Sequence, residues 1–199
     1  MKPIILMMSL VAVAMGNMNA APEIGKAAPD FTAVDSTGKS HKLSDFKGKF
    51  VVLEWLNHGC PFVKKHYESH NMQNLQKQYT DKGVVWLSIV SSAPGKQGNM
   101  TPDETNKKKQ EVGSAATAIL LDEKGEVGKL YEAKTTPEMF VINPQGILVY
   151  AGAIDEKKST DAADIPTSKN YVKAALDEAQ AGKSVTHSLT PSYGCSVKY

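Results

Sequence analysis

A chain of 199 residues is long enough for one domain with a real buried core, and a net charge of +2 without a long basic tract gives no footing for a nucleic-acid partner. All 23 basic side chains are lysine. Without arginine, the permanently charged two-pronged clamp that normally holds a peroxide or phosphate oxygen is excluded.

Met1 to Ala21 starts basic at Lys2, continues as the apolar run IILMMSLVAVAM and ends in small residues, the pattern of a secretory signal. That run is too short for a membrane-spanning helix, so a periplasmic or secreted protein with no stable membrane association after cleavage is expected. Residues 22–183 then read as one domain and 184–199 as a tail. In an oxidising compartment the two cysteines, Cys60 and Cys195, can pair.

Short strands at Phe31 to Val34 and His41 to Leu43 flank a turn at Asp35-Ser36-Thr37-Gly38. Phe50 to Trp55 is nearly all apolar, as suits a central parallel strand buried on both faces. Glu54 breaks the run, and a carboxylate desolvated there should have a raised pKa. The strand stops at the elbow Asn57-His58-Gly59, and Pro61 suits a first helical position, which puts Cys60 at or beside an N-cap. Unpaired amides and the helix dipole there favour thiolate over thiol, making Cys60 the candidate reactive atom.

One helix is expected from Pro61 to about Tyr79, then a strand from Val84 to Val90 and a loop from Ser91 to Met100. Thr101-Pro102-Asp103-Glu104 is a capping box opening a solvated helix through Lys107-Lys108-Lys109. Thr117 to Leu121 reads as a strand, Glu123 to Tyr131 as a helix, and Asn143-Pro144-Gln145-Gly146 as the turn of a hairpin between Met139 to Ile142 and Ile147 to Tyr150. Ser168 is expected to cap a last helix with Val172, Ala175, Leu176 and Ala179 on one face, ended by Gly182; the rest reads as irregular. Strands alternating with helices, then a hairpin and a helix, give an α/β fold, a mixed central sheet with helices on both faces.

This order, together with LNHGCPFVKKH, TTPEMFVINPQG, ILVYAGAID and YGCSVKY, resembles the thioredoxin-like superfamily. More narrowly it resembles the redoxin branch, the alkyl hydroperoxide reductase and thiol-specific antioxidant group, from about Ala21 to the C-terminus. The resemblance implies a cis Pro137 lying against the reactive sulfur, with backbone near Thr136 positioning an extended thiol substrate. It also implies a nucleophilic Cys60 acting on disulfides or hydroperoxides, no cofactor, and an external thiol reductant. The departures are specific: Val63 and Asn57 stand three positions either side of Cys60, so no local dithiol exists, and Asn57 replaces the threonine of a typical peroxiredoxin.

Several roles stay open on the sequence. Cys195 either resolves an oxidised Cys60 or staples the tail; Glu54 is a proton acceptor or an edge residue; Asn57 can donate a hydrogen bond to substrate or sulfur. His58 would lower the thiol pKa if charged. A copper-handling protein using Cys60 with His58, His66 or His70 is one alternative, and a non-catalytic module with a static Cys60–Cys195 disulfide is another. The histidines otherwise read as surface residues.

Overall fold

A computed structural model describes residues 21–199; the expected signal segment lies outside them except for Ala21. The elements in order are β1 (Thr32–Val34), β2 (Ser40–Lys42), β3 (Val51–Trp55), α1 (Pro61–Glu68), α2 (Asn71–Thr80), β4 (Val85–Val90), α3 (Pro102–Glu111), β5 (Ala118–Leu121), α4 (Glu126–Leu130), β6 (Thr135–Thr136), β7 (Glu138–Ile142), β8 (Leu148–Gly152), α5 (Tyr171–Gln180) and β9 (Cys195–Ser196). The main sheet has the order β5-β4-β3-β7-β8, with β3, β4 and β5 parallel and β7 and β8 antiparallel. The expected mixed sheet is therefore present.

β3 is central because all five of its residues are buried, and side chains alternating along it feed two separate cores. Val52 and Leu56 join Tyr67, Met72, Trp86, Val141 and Leu176 under α1, α2 and α5. Val51, Leu53 and Trp55 join Phe31, Leu43, Val127, Tyr131 and Phe140 on the other face, covered by the N-terminal segment and α4. Trp55, Tyr131 and Phe140 pack with centroids 5.2 to 5.6 Å apart, an aromatic cluster within this second core.

Two helix readings are corrected. The expected single helix from Pro61 to Tyr79 is two helices, because His70 adopts a left-handed φ of 60° between them. Side chains satisfy the carbonyls the break leaves open: Ser69 Oγ donates to Lys65 O at 2.6 Å, and Gln73 Nε2 donates to Tyr67 O at 2.8 Å. The last helix is capped by Asn170, whose side chain accepts from Lys173 N at 2.8 Å, not by Ser168, which ends a 3-10 turn at Ala162–Thr167. The capping box of α3 forms as expected, with Thr101 and Glu104 each serving the other's backbone.

The C-terminal segment is more ordered than the sequence suggests. Thr190 Oγ1 pairs with Tyr150 OH at 2.7 Å and accepts from Ala153 N at 3.0 Å. β9 pairs antiparallel with β6, matching Cys195 to Thr136. Ala93 N then donates to Lys198 O at 2.8 Å, and Tyr199 OH donates to Ala133 O at 2.8 Å. The segment is thus a strap laid across β8, β6 and the loop after β4.

Candidate active site

The elbow is built as its residues dictate. Asn57 Oδ1 accepts from Gly59 N at 2.9 Å, and Asn57 O accepts from Cys60 N at 2.9 Å, which turns the chain out of β3. Cys60 is the N-cap of α1 and Pro61 its first residue. Asn57 Nδ2 donates to Gln97 O at 3.2 Å, and Gln97 Nε2 donates to Gly59 O at 3.3 Å, so the Ser91 to Met100 loop is fastened to the elbow. Gly59 is needed there, since a Cβ would lie 2.7 Å from the Gln97 side chain. The amide of Asn57 is therefore spent on shaping the elbow and its loop.

Five groups from three residues surround the Cys60 sulfur. The thiol donates to Thr136 O at 3.1 Å, and Thr136–Pro137 is a cis peptide bond, as the resemblance implied. The buried Thr136 hydroxyl has no hydrogen-bond partner among the described residues and faces the sulfur, available to a thiolate once the proton leaves. Val63 N–H donates to Cys60 O at 3.1 Å while its dipole also reaches the sulfur. Cys195 acts on it through both its thiol and its backbone N–H. Burial of Cys60 opposes ionisation, but the Cys195 thiol, the Val63 and Cys195 amides and the Thr136 hydroxyl outweigh it and hold the pKa below the ordinary thiol value.

Cys195 goes the other way. Burial and the neighbouring Cys60 push its pKa up to about 11, against a small opposing pull from Lys198. The two sulfurs thus share one proton's worth of preference: Cys60 is the first to ionise and Cys195 keeps its hydrogen as donor. Both are free thiols in this structure. Gly194 makes the approach possible, because a Cβ there would fall 2.1 Å from Thr136 O, and its φ of 139° disfavours any side chain.

The sulfur of Cys60 is sealed from solvent at 0 % exposure, while Cys195 is half-buried. Thr136 O lies against the sulfur and Cys195 of the strap is paired to Thr136, so the cis-proline segment and the strap both border it.

Glu54 is fully buried in the layer beneath α1 and α2. Its Oε2 accepts from Trp86 Nε1 at 2.7 Å, Ser88 Oγ at 2.8 Å and Gln76 Nε2 at 3.0 Å, and its Oε1 accepts from Tyr67 OH at 2.8 Å. Burial raises its pKa, as expected, against the pull of those four donors. Among the described residues no hydrogen bond joins it to either thiol.

The histidines do not converge. His58 packs edge-on against Tyr67 at 5.0 Å, and burial, with Lys108 nearby, lowers its pKa to about 4. It is neutral at physiological pH and brings no charge to Cys60. His66 is a core residue, not a surface one: its Nδ1 meets Asn71 Nδ2 at 2.8 Å and its Nε2 lies 3.9 Å from Asp155. His70 is exposed at the helix break. No cluster of three or more potential metal ligands exists among the described residues.

The sequence reading passed over one cluster. Tyr193 OH donates to Asp155 Oδ1, and Lys65 Nζ lies 3.4 Å from Asp155 Oδ2, all three side chains being buried. Tyr193 and the YAGAID stretch stood in the motifs, but nothing local shows that residues 65, 155 and 193 meet.

With this geometry in place, comparison with known proteins decides the family: the AhpC/TSA family model matches residues 24–151. The chain belongs to the AhpC/TSA family. Among its relatives, the thiol-disulfide oxidoreductase ResA of Bacillus thuringiensis subsp. konkukian is 31% identical over 130 residues, covering 64% of this chain and 68% of ResA. A conserved protein of Geobacillus kaustophilus superposes with a TM-score of 0.75 at 29% identity, covering 92% of this chain and 94% of the other. The thioredoxin domain of a thiol-disulfide oxidoreductase of Bacteroides vulgatus has a TM-score of 0.52 at 23% identity, covering 74% and 97%, and shares the thioredoxin-like fold. The family match ends at Ala151, so Cys195 and the strap lie outside it.

Proposed function

We propose that this AhpC/TSA-family chain is an exported thiol-disulfide oxidoreductase in which Cys60 attacks and Cys195 resolves. The observation that carries the reading is that Thr136, beside cis-Pro137, takes the Cys60 thiol on its carbonyl and is the strand partner of Cys195, which brings the two cysteines to one residue. Two thiols 135 positions apart stand where a local dithiol would otherwise be needed.

The Cys60 thiolate attacks a substrate disulfide, forming a mixed disulfide and releasing one substrate thiolate. Cys195 then gives up its proton, attacks the Cys60 sulfur and releases the second substrate thiol, leaving a Cys60–Cys195 cystine. The substrate gains two electrons and the protein dithiol loses two. An external thiol reductant reverses the exchange on the protein. Asn57 positions substrate through the elbow it shapes, and Glu54, held by four donors with no hydrogen bond to either thiol among the described residues, stays a proton acceptor only if the pH profile of exchange responds to it. The names of the ResA relatives and the absence of arginine favour disulfides over hydroperoxides as substrate. The leader pattern at Met1 to Ala21 supports a periplasmic or secreted location. None of the helices among the described residues is long and apolar enough to cross a membrane.

The test is mass spectrometry of reduced protein after one equivalent of oxidised glutathione, and separately of hydrogen peroxide. Wild type is expected to end as the Cys60–Cys195 cystine and Cys60→Ser to show no adduct at residue 60. Wild type left with two free thiols under both reagents rejects the reading.

A further inference from the structure

The two cysteines sit on different elements, α1 and the strap, and something must hold those elements in register. One buried bridge joins them. Lys65 follows Cys60 by five residues on α1, and its ammonium, fully buried, lies 3.4 Å from Asp155 Oδ2 and donates to Lys157 O at 3.1 Å. Asp155, just after β8, also accepts from Lys157 N at 3.0 Å and has His66 Nε2 at 3.9 Å. Tyr193, two residues before Cys195, closes the bridge with its phenol on Asp155 and sets its ring edge-on against Phe62 of α1, centroids 5.7 Å apart.

A buried ion pair is a weak source of net stability, because desolvation offsets its attraction; its usual advantage is a specified geometry. The phenol on a charged carboxylate is a strong bond, and Tyr193 is only 5% exposed. Between Tyr193 and Cys195 there is only Gly194, pressed onto Thr136. Fixing the phenol therefore fixes the second sulfur to within one residue's reach.

We infer that Tyr193, held by the Lys65–Asp155 pair, is the positioning residue that returns Cys195 to the Cys60 sulfur after substrate has displaced the strap. This deepens the exchange reading and rests on it. The sealed Cys60 must be uncovered for the first attack, and the mixed disulfide then occupies the place of the strap. Resolution requires re-docking, and the Tyr193–Asp155 bond is the anchor that aims it. The two steps should respond to its loss in opposite directions: a looser strap opens Cys60 no more slowly, while resolution loses its effective concentration of thiol.

The experiment follows full-length reduced wild type, Tyr193→Phe and Thr190→Ala through one turnover with oxidised glutathione, with acid quench and mass spectrometry. The first step breaks the glutathione disulfide and forms Cys60–S–S–glutathione; the second forms Cys60–Cys195 and releases the second glutathione, its thiolate taking the proton Cys195 gives up. In Tyr193→Phe the mixed disulfide is expected to accumulate, its resolution slowed about tenfold or more, with the first attack as fast as in wild type or faster. Thr190→Ala, which frees the strap five residues before Cys195, should slow resolution less. Equal resolution in Tyr193→Phe and wild type overturns the inference, as does an equal slowing by Thr190→Ala. If Tyr193→Phe does not fold, Asp155→Asn, which keeps the side chain's size while removing the charge that holds the phenol, carries the same expectation and the same refutation. Wild type that forms the mixed disulfide but never the cystine rejects instead the resolving role of Cys195 on which this inference rests.

Discussion

At the elbow, Cys60 is held by its own neighbours in sequence: Asn57 turns the chain, Pro61 starts the helix, and the Val63 amide faces back. On the strap, Cys195 is held by residues distant in sequence, Thr136 by strand pairing and Asp155 through Tyr193. The elbow places the first sulfur, but against its burial it is the Cys195 thiol first, then the Val63 and Cys195 amides and the Thr136 hydroxyl, that hold its pKa below the ordinary thiol range, whereas burial and Cys60 raise the second to about 11. A local frame suffices to place the first sulfur, whereas lowering its pKa and delivering its partner both take long-range contacts. In the exchange proposed above, that contrast is what orders the two sulfurs, and it separates what each half of the site can lose.

The sharpest way to break this contrast is to delete each sulfur in turn. Cys60→Ser should lower exchange with a small disulfide by at least about a thousandfold, because no other nucleophile is positioned there. Cys195→Ser should retain the first attack and stall as the mixed disulfide. In Cys195→Ala, which removes the side-chain donor that a serine would replace, the pH at which that attack levels off should also rise, since the Cys60 pKa moves toward its ordinary value. Initial rates against pH for the two variants check this. An unshifted profile in Cys195→Ala would mean that the second thiol does nothing for the pKa of Cys60.

Next in size is the strap's close approach. Gly194→Ala puts a methyl 2.1 Å from Thr136 O and should destabilise strap docking by about 1–3 kcal/mol, unpairing β9 from β6. Gly182→Ala is the control: φ is also positive, at 70°, but nothing lies within 4 Å, so only about 1–2 kcal/mol of backbone strain is expected, with no effect on β9. Amide exchange at Cys195 and Ser196 distinguishes the two.

The same contrast explains what could be read from the sequence. β3, the elbow, Cys60 at the N-cap and the α3 capping box were legible because each is specified within a few residues. The split at His70 was not, because neither Ser69 nor His70 is a strong breaker, and the break depends on Gln73 reaching the Tyr67 carbonyl. His66 looked like a surface residue because helical spacing does not reveal that Asp155 lies across from it. The strap read as irregular since its pairing partner, the two-residue β6, is itself too short to register as a strand. The bridge from Lys65 through Asp155 to Tyr193 spans 128 positions and leaves no periodic trace.

Glu54 tests the scaffold beneath the elbow with a smaller effect. In Glu54→Gln the carbonyl can keep the three donors that Oε2 serves, and Tyr67 OH can turn to accept from the new amide, so about 1–2 kcal/mol of stability is expected to go. The pH dependence is more informative. Because its folded pKa lies above 4.5, this carboxylate gives a contribution fully present below the unfolded value and lost as pH rises through the folded one. Denaturant midpoints of wild type should fall over that window, and those of Glu54→Gln should not. A second difference, in the pH profile of exchange, would register Glu54 as proton acceptor; identical profiles would confine it to the scaffold.

The smallest effect belongs to His58, two residues from the nucleophile yet without charge to offer it. Its ring is packed on Tyr67, its Nε2 has no partner among the described residues, and its pKa is about 4. Between pH 5 and 8 the imidazole is neutral, so His58→Gln should leave the level-off pH of Cys60 attack where it stands in wild type. The substitution should act on stability instead. A histidine with its pKa lowered from 6.5 contributes fully above that value, and the contribution is lost as pH falls through about 4, because the unfolded chain takes the proton first. The acid limb of the wild-type stability curve should therefore be steeper than that of His58→Gln. A thiolate titration that moves in the variant would show an imidazolium at the elbow, and the low pKa of Cys60 would then owe part of its origin to a charge and not to the amides, hydroxyl and second thiol that surround it.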